Sequence, residues 1–341
     1  MDTIPPPLDA PVRIKDELRG ATPEVTATRF LRVTEQAALA SARWQGRGKA
    51  KAADKAAVDA MRDAFSELPI SGTVVIGEGE KDDAPELYVG EKLGSGGMEC
   101  EIAVDPLEGT DLVARGDAGA ITICAIGEPG GFMSAPDMYM EKLCVGASAR
   151  GRIDLRAPIR DTVDIVARCY DRKPADITAI VLDRPRHAEL IEDLRSAGAR
   201  IRLIADGDIT ACMSAAVRGT GDHIYVGIGA SAEGVITAAA MECLGGEIQS
   251  RFWPQNDEQR KRLADAGITN VDRVMSTRDL AQKPIYVIAT GVTDGNLLKG
   301  VRYFSDGART HSIVMDLRMN TVRFVDTVHM FTRNPIREIR L

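Results

Sequence analysis

Apolar residues recur at helical spacing near the start of the chain, where Phe30, Val33, Ala37, Ala40 and Trp44 share one face. Thr22 followed by Pro23 reads as the N-cap and first turn of that helix. The segment Trp44-Gln45-Gly46-Arg47-Gly48-Lys49 breaks it. A second helix is predicted over about 52–67, with Val58, Met61, Phe65 and Leu68 on one side and Asp54 exposed in its first turn. Short apolar runs then predict strands at 73–76, 101–104, 120–126 and 142–145. From about residue 160 the rhythm changes. Predicted strands at 177–182, 200–204, 222–226 and 285–289 alternate with helices near 187–197, 208–217 and 231–243, which predicts a parallel sheet with helices on its faces. Gly245-Gly246 stops the last of these helices. Strand-like runs at 311–317 and 321–326 close the chain. No internal repeat is visible.

The expected class is therefore α/β, in three parts. Residues 1–22 are Pro-rich and aperiodic and read as a flexible tail. Residues 23–155 form an α+β unit with a mixed sheet. Residues 156–341 form an α/β unit with a mainly parallel sheet. A chain of 341 residues is long enough for two domains or one large one. Aromatics are scarce at 4%, while glycine is frequent, which favours an Ala/Val/Ile/Gly-rich α/β core over a β-sandwich.

The net charge of −7 and the lack of a basic stripe argue against nucleic acid. An anionic ligand would need local positive charge, from a metal or from Arg and Lys. No apolar run reaches the ~18 residues of a membrane span. The N-terminus has neither the basic start nor the apolar stretch of a signal peptide, so the expected address is the cytosol. The six cysteines, at 100, 124, 144, 169, 212 and 243, form no CxxC pair and read as buried reduced thiols.

The candidate chemistry lies in acidic residues at the ends of elements: Asp54, then Glu78 and Glu80 with Asp82 and Asp83, then Asp105 with Glu108, and Glu233 after Gly227-Ile228-Gly229. An apolar strand delivers Asp105. Pro106, with no N–H, is expected to stop the ladder, and Gly109 to allow a tight turn with close backbone approach. Asp105 and Glu108 can then point at one spot, with the Thr110 hydroxyl beside them. Two carboxylates about 5 Å apart at an effective dielectric near 20 repel by roughly 3 kcal/mol. If the acids converge, a hard cation such as Mg²⁺ or Mn²⁺ is the economical way to hold them together. Two such ions could clamp both the attacking and leaving oxygens of a phosphoryl group. Each acid taken alone reads equally well as a solvated loop residue.

Asp105-Pro106-Leu107-Glu108-Gly109-Thr110 resembles the signature of the lithium-sensitive phosphatase superfamily. Ile76-Gly77-Glu78-Gly79-Glu80, the stretches 84–92 and 135–143, Arg184-Pro185-Arg186-His187, Asp206-Gly207-Asp208 and Glu233-Gly234-Val235 are similar to class II fructose-1,6-bisphosphatases, over roughly residues 24–341. The resemblance implies a layered α/β/α/β/α sugar-phosphatase fold and a homo-oligomer, dimer or tetramer. It implies hydrolysis of the 1-phosphate of fructose 1,6-bisphosphate, a reaction of gluconeogenesis and the Calvin cycle. It implies metal ligands at Asp54, Glu78, Asp105, Glu108 and Glu233. Substrate contacts fall on Glu108, Gly109, Thr110, Tyr139, Arg184, Pro185, Arg186, Asp206, Gly207, Asp208 and Ala230. Thr110 would orient the attacking water, and Asp82, with Asp83 as its alternate, is the candidate general base.

Chemically, Arg184 and Arg186 suit a fork for the phosphate that does not react, and Asp206 and Asp208 suit sugar hydroxyls. Arg184 stands where the family often has Lys. The run 184–187 looks more like photosynthetic members that also hydrolyse sedoheptulose 1,7-bisphosphate. Gly229-Ala230-Ser231-Ala232-Glu233 departs from the family pattern around the Ala230 contact, and the turn between Glu91 and Glu99 is short beside some bifunctional relatives. Two other readings stay open: an inositol-monophosphatase-like enzyme, which has no need of Arg184 and Arg186, and a sugar-phosphate sensor that binds without turnover.

Overall fold

The computed structural model describes residues 27–79 and 86–331. The 1–22 tail and the Thr22-Pro23 helix start lie outside the described residues. Helices α1 (Ala27–Ala42) and α2 (Ala50–Ser66) follow the predicted apolar spacing and pack on each other. Phe30 meets Phe65 edge-on, with ring centroids 6.4 Å apart. Asp54 is half-buried rather than exposed, because it faces Thr110.

Strands β1 (Ile70–Ile76), β2 (Lys92–Leu93), β3 (Met98–Glu108) and β4 (Ile121–Gly127) come next, with α3 (Thr110–Arg115) between the last two. Pro106 does not stop β3, and the strand bulges there instead. Asp105 pairs with Ile123 and Glu108 with Ile121, so β3 takes three steps where β4 takes two. The residue without an N–H sits in the bulge, the Leu107 amide donates to Asp105 Oδ1 at 3.0 Å, and pairing resumes beyond. In a regular strand, residues three apart face opposite sides. The extra residue puts Asp105 and Glu108 on the same side.

The chain continues through β5 (Tyr139–Val145), α4 (Ile159–Cys169), β6 (Thr178–Leu182), α5 (Ala188–Ser196), β7 (Arg200–Ile204), α6 (Asp208–Ala216), β8 (Ile224–Ala230) and α7 (Ser231–Leu244). Gly245, at φ 70°, caps α7 as expected. Then follow β9 (Glu247–Phe252), α8 (Asp257–Asp265), β10 (Met275–Ser276), α9 (Thr277–Leu280), β11 (Pro284–Gly291), β12 (Arg302–Phe304), β13 (Gly307–Asp316) and β14 (Thr321–Met330).

Two mixed sheets result. The eight-stranded sheet runs β12-β13-β11-β4-β3-β1-β2, with β14 also on β13. The six-stranded sheet runs β10-β9-β5-β8-β6-β7. The mainly parallel sheet expected after residue 156 is corrected. β6 pairs in parallel with β7 and β8, but β5 pairs antiparallel with β8 and β9, and β10 antiparallel with β9. Strand–helix alternation enforces parallel pairing only where a helix crosses between neighbours, and β5 enters from outside the alternating region. β11, expected in the parallel sheet, lies in the other one, between β4 and β13. It is buried along both faces, so its apolar run suits the middle of either sheet.

Buried side chains form three clusters. One joins α1 and α2 to a face of the larger sheet, through Phe30, Met61, Ile102 and Ile288. A second joins the opposite face, α6 and α7 to the smaller sheet, through Ile123, Met213, Ile236 and Met140. The third lies between the outer face of the smaller sheet and α4 and α5, through Val145, Val163, Val181 and Leu194. All six cysteines are free; Cys100, Cys124, Cys144 and Cys212 are buried, while Cys169 and Cys243 are half-buried. No helix among the described residues is long and apolar enough to cross a membrane.

Candidate active site

Three helices begin around one hollow. α3 starts after Gly109, whose φ of 88° only glycine adopts at low cost. α6 starts after Gly207, at φ 89°, and α7 follows Ala230. Helix N-termini carry partial positive charge, which favours carboxylates and phosphate there. The hollow measures about 300 Å³ and is lined by Asp54, Glu78, Asp105, Glu108, Gly109, Thr110, Asp206 and Glu233, among others. A wider hollow of about 590 Å³ runs along β1 and β2, lined by Gly72, Leu93 and Gly94 among others, away from these acids.

Oxygens of Asp105, Glu108 and Glu233 lie within 4.8 Å of one another. Asp54 approaches from α2, where the Thr110 hydroxyl donates to its Oδ1 at 3.4 Å and to the Leu107 carbonyl at 3.0 Å. Glu78 keeps contact with solvent while lining the same hollow. Glu108 Oε1 accepts from the Ile209 amide at 3.0 Å, which ties β3 to the first turn of α6.

Crowding and lost water shift the acids upward. Loss of hydration, then the Asp105, Asp54 and Glu233 charges, pushes Glu78 up to about 8. Burial raises Asp105 to about 6 and Glu233 to about 7, and lifts Glu108 well above the ordinary carboxylate range, with Asp105 adding to the last. Asp54 and Asp206 are also raised, each mainly by burial. Glu233 Oε2 is buried with no hydrogen-bond partner among the described residues. Three converging carboxylates, one of them with an orphaned oxygen, fit a cation, and an all-oxygen donor set fits a hard divalent one.

The residues expected to contact a sugar lie on the neighbouring elements. Tyr139 on β5 lies opposite Ala230 on β8. Arg186 stacks on the Tyr139 ring at 5.0 Å and donates to the Ile228 carbonyl at 2.7 Å, while its buried Nε has no partner among the described residues. Pro185 begins the short 3₁₀ turn Pro185–His187 that presents Arg186. Arg184 donates to the Asp183 carbonyl at 3.0 Å and lies close enough to Asp206 to lower its pKa in part. Asp206 lines the hollow, while Asp208 is buried behind it. Asp82 and Asp83 lie outside the described residues.

Sequence reasoning missed two groups. His187 locks the turn under Arg186: its Nδ1 pairs with the Leu182 carbonyl at 2.7 Å and its Nε2 accepts from the Ile228 amide at 2.8 Å. Lys142, fully buried on β5, donates to Asp208 Oδ2 at 2.7 Å. A lysine inside the apolar run 142–145 was the available signal. A Cβ on Gly229 would stand 2.1 Å from Asp208 Oδ2 and 3.1 Å from Lys142 Nζ. Gly229→Ala is therefore expected to lower stability by about 1–3 kcal/mol, the usual range for overpacking, measured by urea unfolding.

Converging hard-oxygen donors, helix N-termini and a guanidinium with an unused donor make a site that could hold a divalent cation and a phosphate ester together. A family model described as bacterial fructose-1,6-bisphosphatase, glpX-encoded, matches residues 24–329. The D-fructose 1,6-bisphosphatase class 2/sedoheptulose 1,7-bisphosphatase of Synechococcus sp. (strain JA-3-3Ab) is 44% identical over 92% of this chain and 97% of its own length. That of Synechocystis sp. is also 44% identical, over 88% and 95%. That of Trichodesmium erythraeum is 43% identical, over 90% and 96%. The chain belongs to the glpX-encoded bacterial fructose-1,6-bisphosphatase family, and it is a phosphoric monoester hydrolase.

Proposed function

We propose that the chain removes the 1-phosphate of fructose 1,6-bisphosphate by hydrolysis, giving fructose 6-phosphate and phosphate, and acts on sedoheptulose 1,7-bisphosphate by the same route. The observation that carries this is the convergence of Asp105, Glu108 and Glu233, the last with an orphaned oxygen, with Arg186 holding a spare donor on the sugar side. Asp105, Glu108 and Glu233, with Asp54 and Glu78 from the same hollow, would hold Mg²⁺ or Mn²⁺. Bound there, the cation neutralises phosphoryl oxygens and acidifies a bound water.

The chain's own residues do the rest. Thr110 orients the water from the start of α3. Asp82, or Asp83 in its place, takes the water's proton. Arg184 and Arg186 hold the remote phosphate, Tyr139, Gly109, Gly207 and Ala230 shape the sugar's bed, and Asp206 accepts from its hydroxyls with the buried Asp208 supporting it from behind. Uncatalysed hydrolysis of a phosphate monoester is so slow that a site built of charge and positioning suits it well.

The three apolar clusters support a layered α/β/α/β/α order, in which residues 23–155 supply most of the metal side and 156–341 most of the sugar side. A cytoplasmic homo-oligomer, dimer or tetramer, completes the reading.

The test is phosphate release from both bisphosphates with Mg²⁺ or Mn²⁺. Arg184→Ala and Arg186→Ala, made singly, are each expected to raise KM for the bisphosphates by about 10- to 100-fold, since each charge-assisted contact contributes roughly 1.5–3 kcal/mol. Unchanged KM would point to a monophosphate substrate, and binding without release to a sensor.

A further inference from the structure

Lys142 sits under the site rather than in it. Its side chain is wholly buried, and its ammonium is 2.7 Å from Asp208 Oδ2. Tyr225 donates to the same oxygen from 3.3 Å. The surrounding backbone is built around this lysine. Gly229 on β8 leaves room for both charged ends, since a Cβ there would stand 2.1 Å from Asp208 Oδ2 and 3.1 Å from Lys142 Nζ. Beside it runs a second rung between the same two elements, with Cys144 Sγ 2.9 Å from Cys212 Sγ. Cys144 is two residues beyond Lys142 on β5, and Cys212 is four beyond Asp208 on α6, so the rungs are parallel.

The ion pair therefore sets where the first turn of α6 lies against β5. The next residue in that turn, Ile209, gives its amide to Glu108 Oε1 at 3.0 Å. One of the three converging acids, Glu108, thus depends on the buried ammonium through a chain of contacts.

We infer that Lys142 is a positioning residue for the metal site: through Asp208 and the first turn of α6 it aims Glu108. The inference rests on the metal-dependent reading of the hollow and goes beyond it, because Lys142 touches neither metal nor substrate. A wholly structural role is the competing account. A buried Asp208 left without its cation would destabilise the fold whatever happened at the site.

The experiment uses the full chain as Lys142→Met, Asp208→Asn and the double variant. Mn²⁺ affinity by calorimetry and melting temperature in EDTA are read for each. Lys142→Met is expected to melt lower and to bind Mn²⁺ at least about tenfold more weakly, the range for losing a ligand's outer support. The double variant leaves no unpaired buried charge. It is expected to regain most of the melting temperature but not the Mn²⁺ affinity. Recovery of both in the double variant would reduce Lys142 to charge relief and overturn the inference, as would wild-type Mn²⁺ affinity in Lys142→Met. If Lys142→Met does not fold, the double variant decides alone. Because the measurement is metal affinity, it stands even if neither bisphosphate proves to be the substrate.

Discussion

Asp105→Asn is expected to lower kcat on fructose 1,6-bisphosphate by about 10³-fold while raising the melting temperature of the metal-free protein. Both effects come from one carboxylate. Asp105 converges with Glu108 and Glu233, and its charge adds to the burial that lifts the Glu108 carboxyl well above the ordinary carboxylate range. Asparagine has nearly the same shape and can still accept from the Leu107 amide. What it loses is a metal-ligating charge. It also removes a repulsion that the folded apoprotein sustains and the unfolded chain does not. Relief of about 1 kcal/mol would raise the melting temperature by roughly 1–2 °C in a chain of 341 residues. Steady-state kinetics and a melting curve in EDTA check the two signs separately. Wild-type kcat would remove Asp105 from the site. A fall in both activity and stability would make it a structural residue instead.

The second large effect is on stability against pH without metal. Burial holds Asp105 at about 6 and Glu233 at about 7, with Glu108 also raised, whereas the unfolded chain releases these protons near pH 4. Below that pH both states are protonated and the stability from these groups is fully present. As pH rises through the folded values, the native state must give up protons that the unfolded state has already lost. Native protein binds more protons here, so stability falls with pH. The three acids share protons, so the loss is about 2–3 kcal/mol, or roughly 3–4 °C between pH 5 and pH 8 in EDTA. Added Mn²⁺ or Mg²⁺ is expected to restore the loss, and more strongly at pH 8 than at pH 6, because each ligand must shed its proton first. A melting temperature flat in pH, or indifferent to the cation, would refute a carboxylate metal site. The same EDTA treatment should abolish phosphate release, and Mn²⁺ or Mg²⁺ should return it.

Where the structure departs from the pattern of residues, the departures share a cause. The apolar spacing of Phe30, Val33 and Ala37 predicts α1 because a helix repeats over neighbours in sequence, and the same holds for Met61 and Phe65 in α2. The run Asp105 to Thr110 announces two acids and a hydroxyl at a turn, and the hollow contains all three. Pro106 signals an interruption of pairing, but whether it ends the strand or only bulges it depends on what β4 offers opposite, and β4 offers Ile121 beyond the bulge. The eight buried residues of β11 mark a central strand and say nothing of which sheet. Lys142 looked like part of a strand whose chemistry lay elsewhere, because its partner, Asp208, is 66 residues away.

The sequence by itself therefore determined the inventory: helices and strands with local periods, the acids at element ends, and a resemblance strong enough to imply the reaction. Only the tertiary structure decided the arrangement. It put β11 in the larger sheet and made β5 antiparallel to its neighbours. It turned Asp105 and Glu108 to one side through a bulge, and brought Ile209 to Glu108 across 101 residues. It also buried a lysine as the counter-charge beneath the acids. Periodicity is set by residues a few positions apart, whereas partner choice and the burial of charge are set by contacts between residues far apart in the chain. Those contacts exist only once the two sheets and the helices between them have closed on each other.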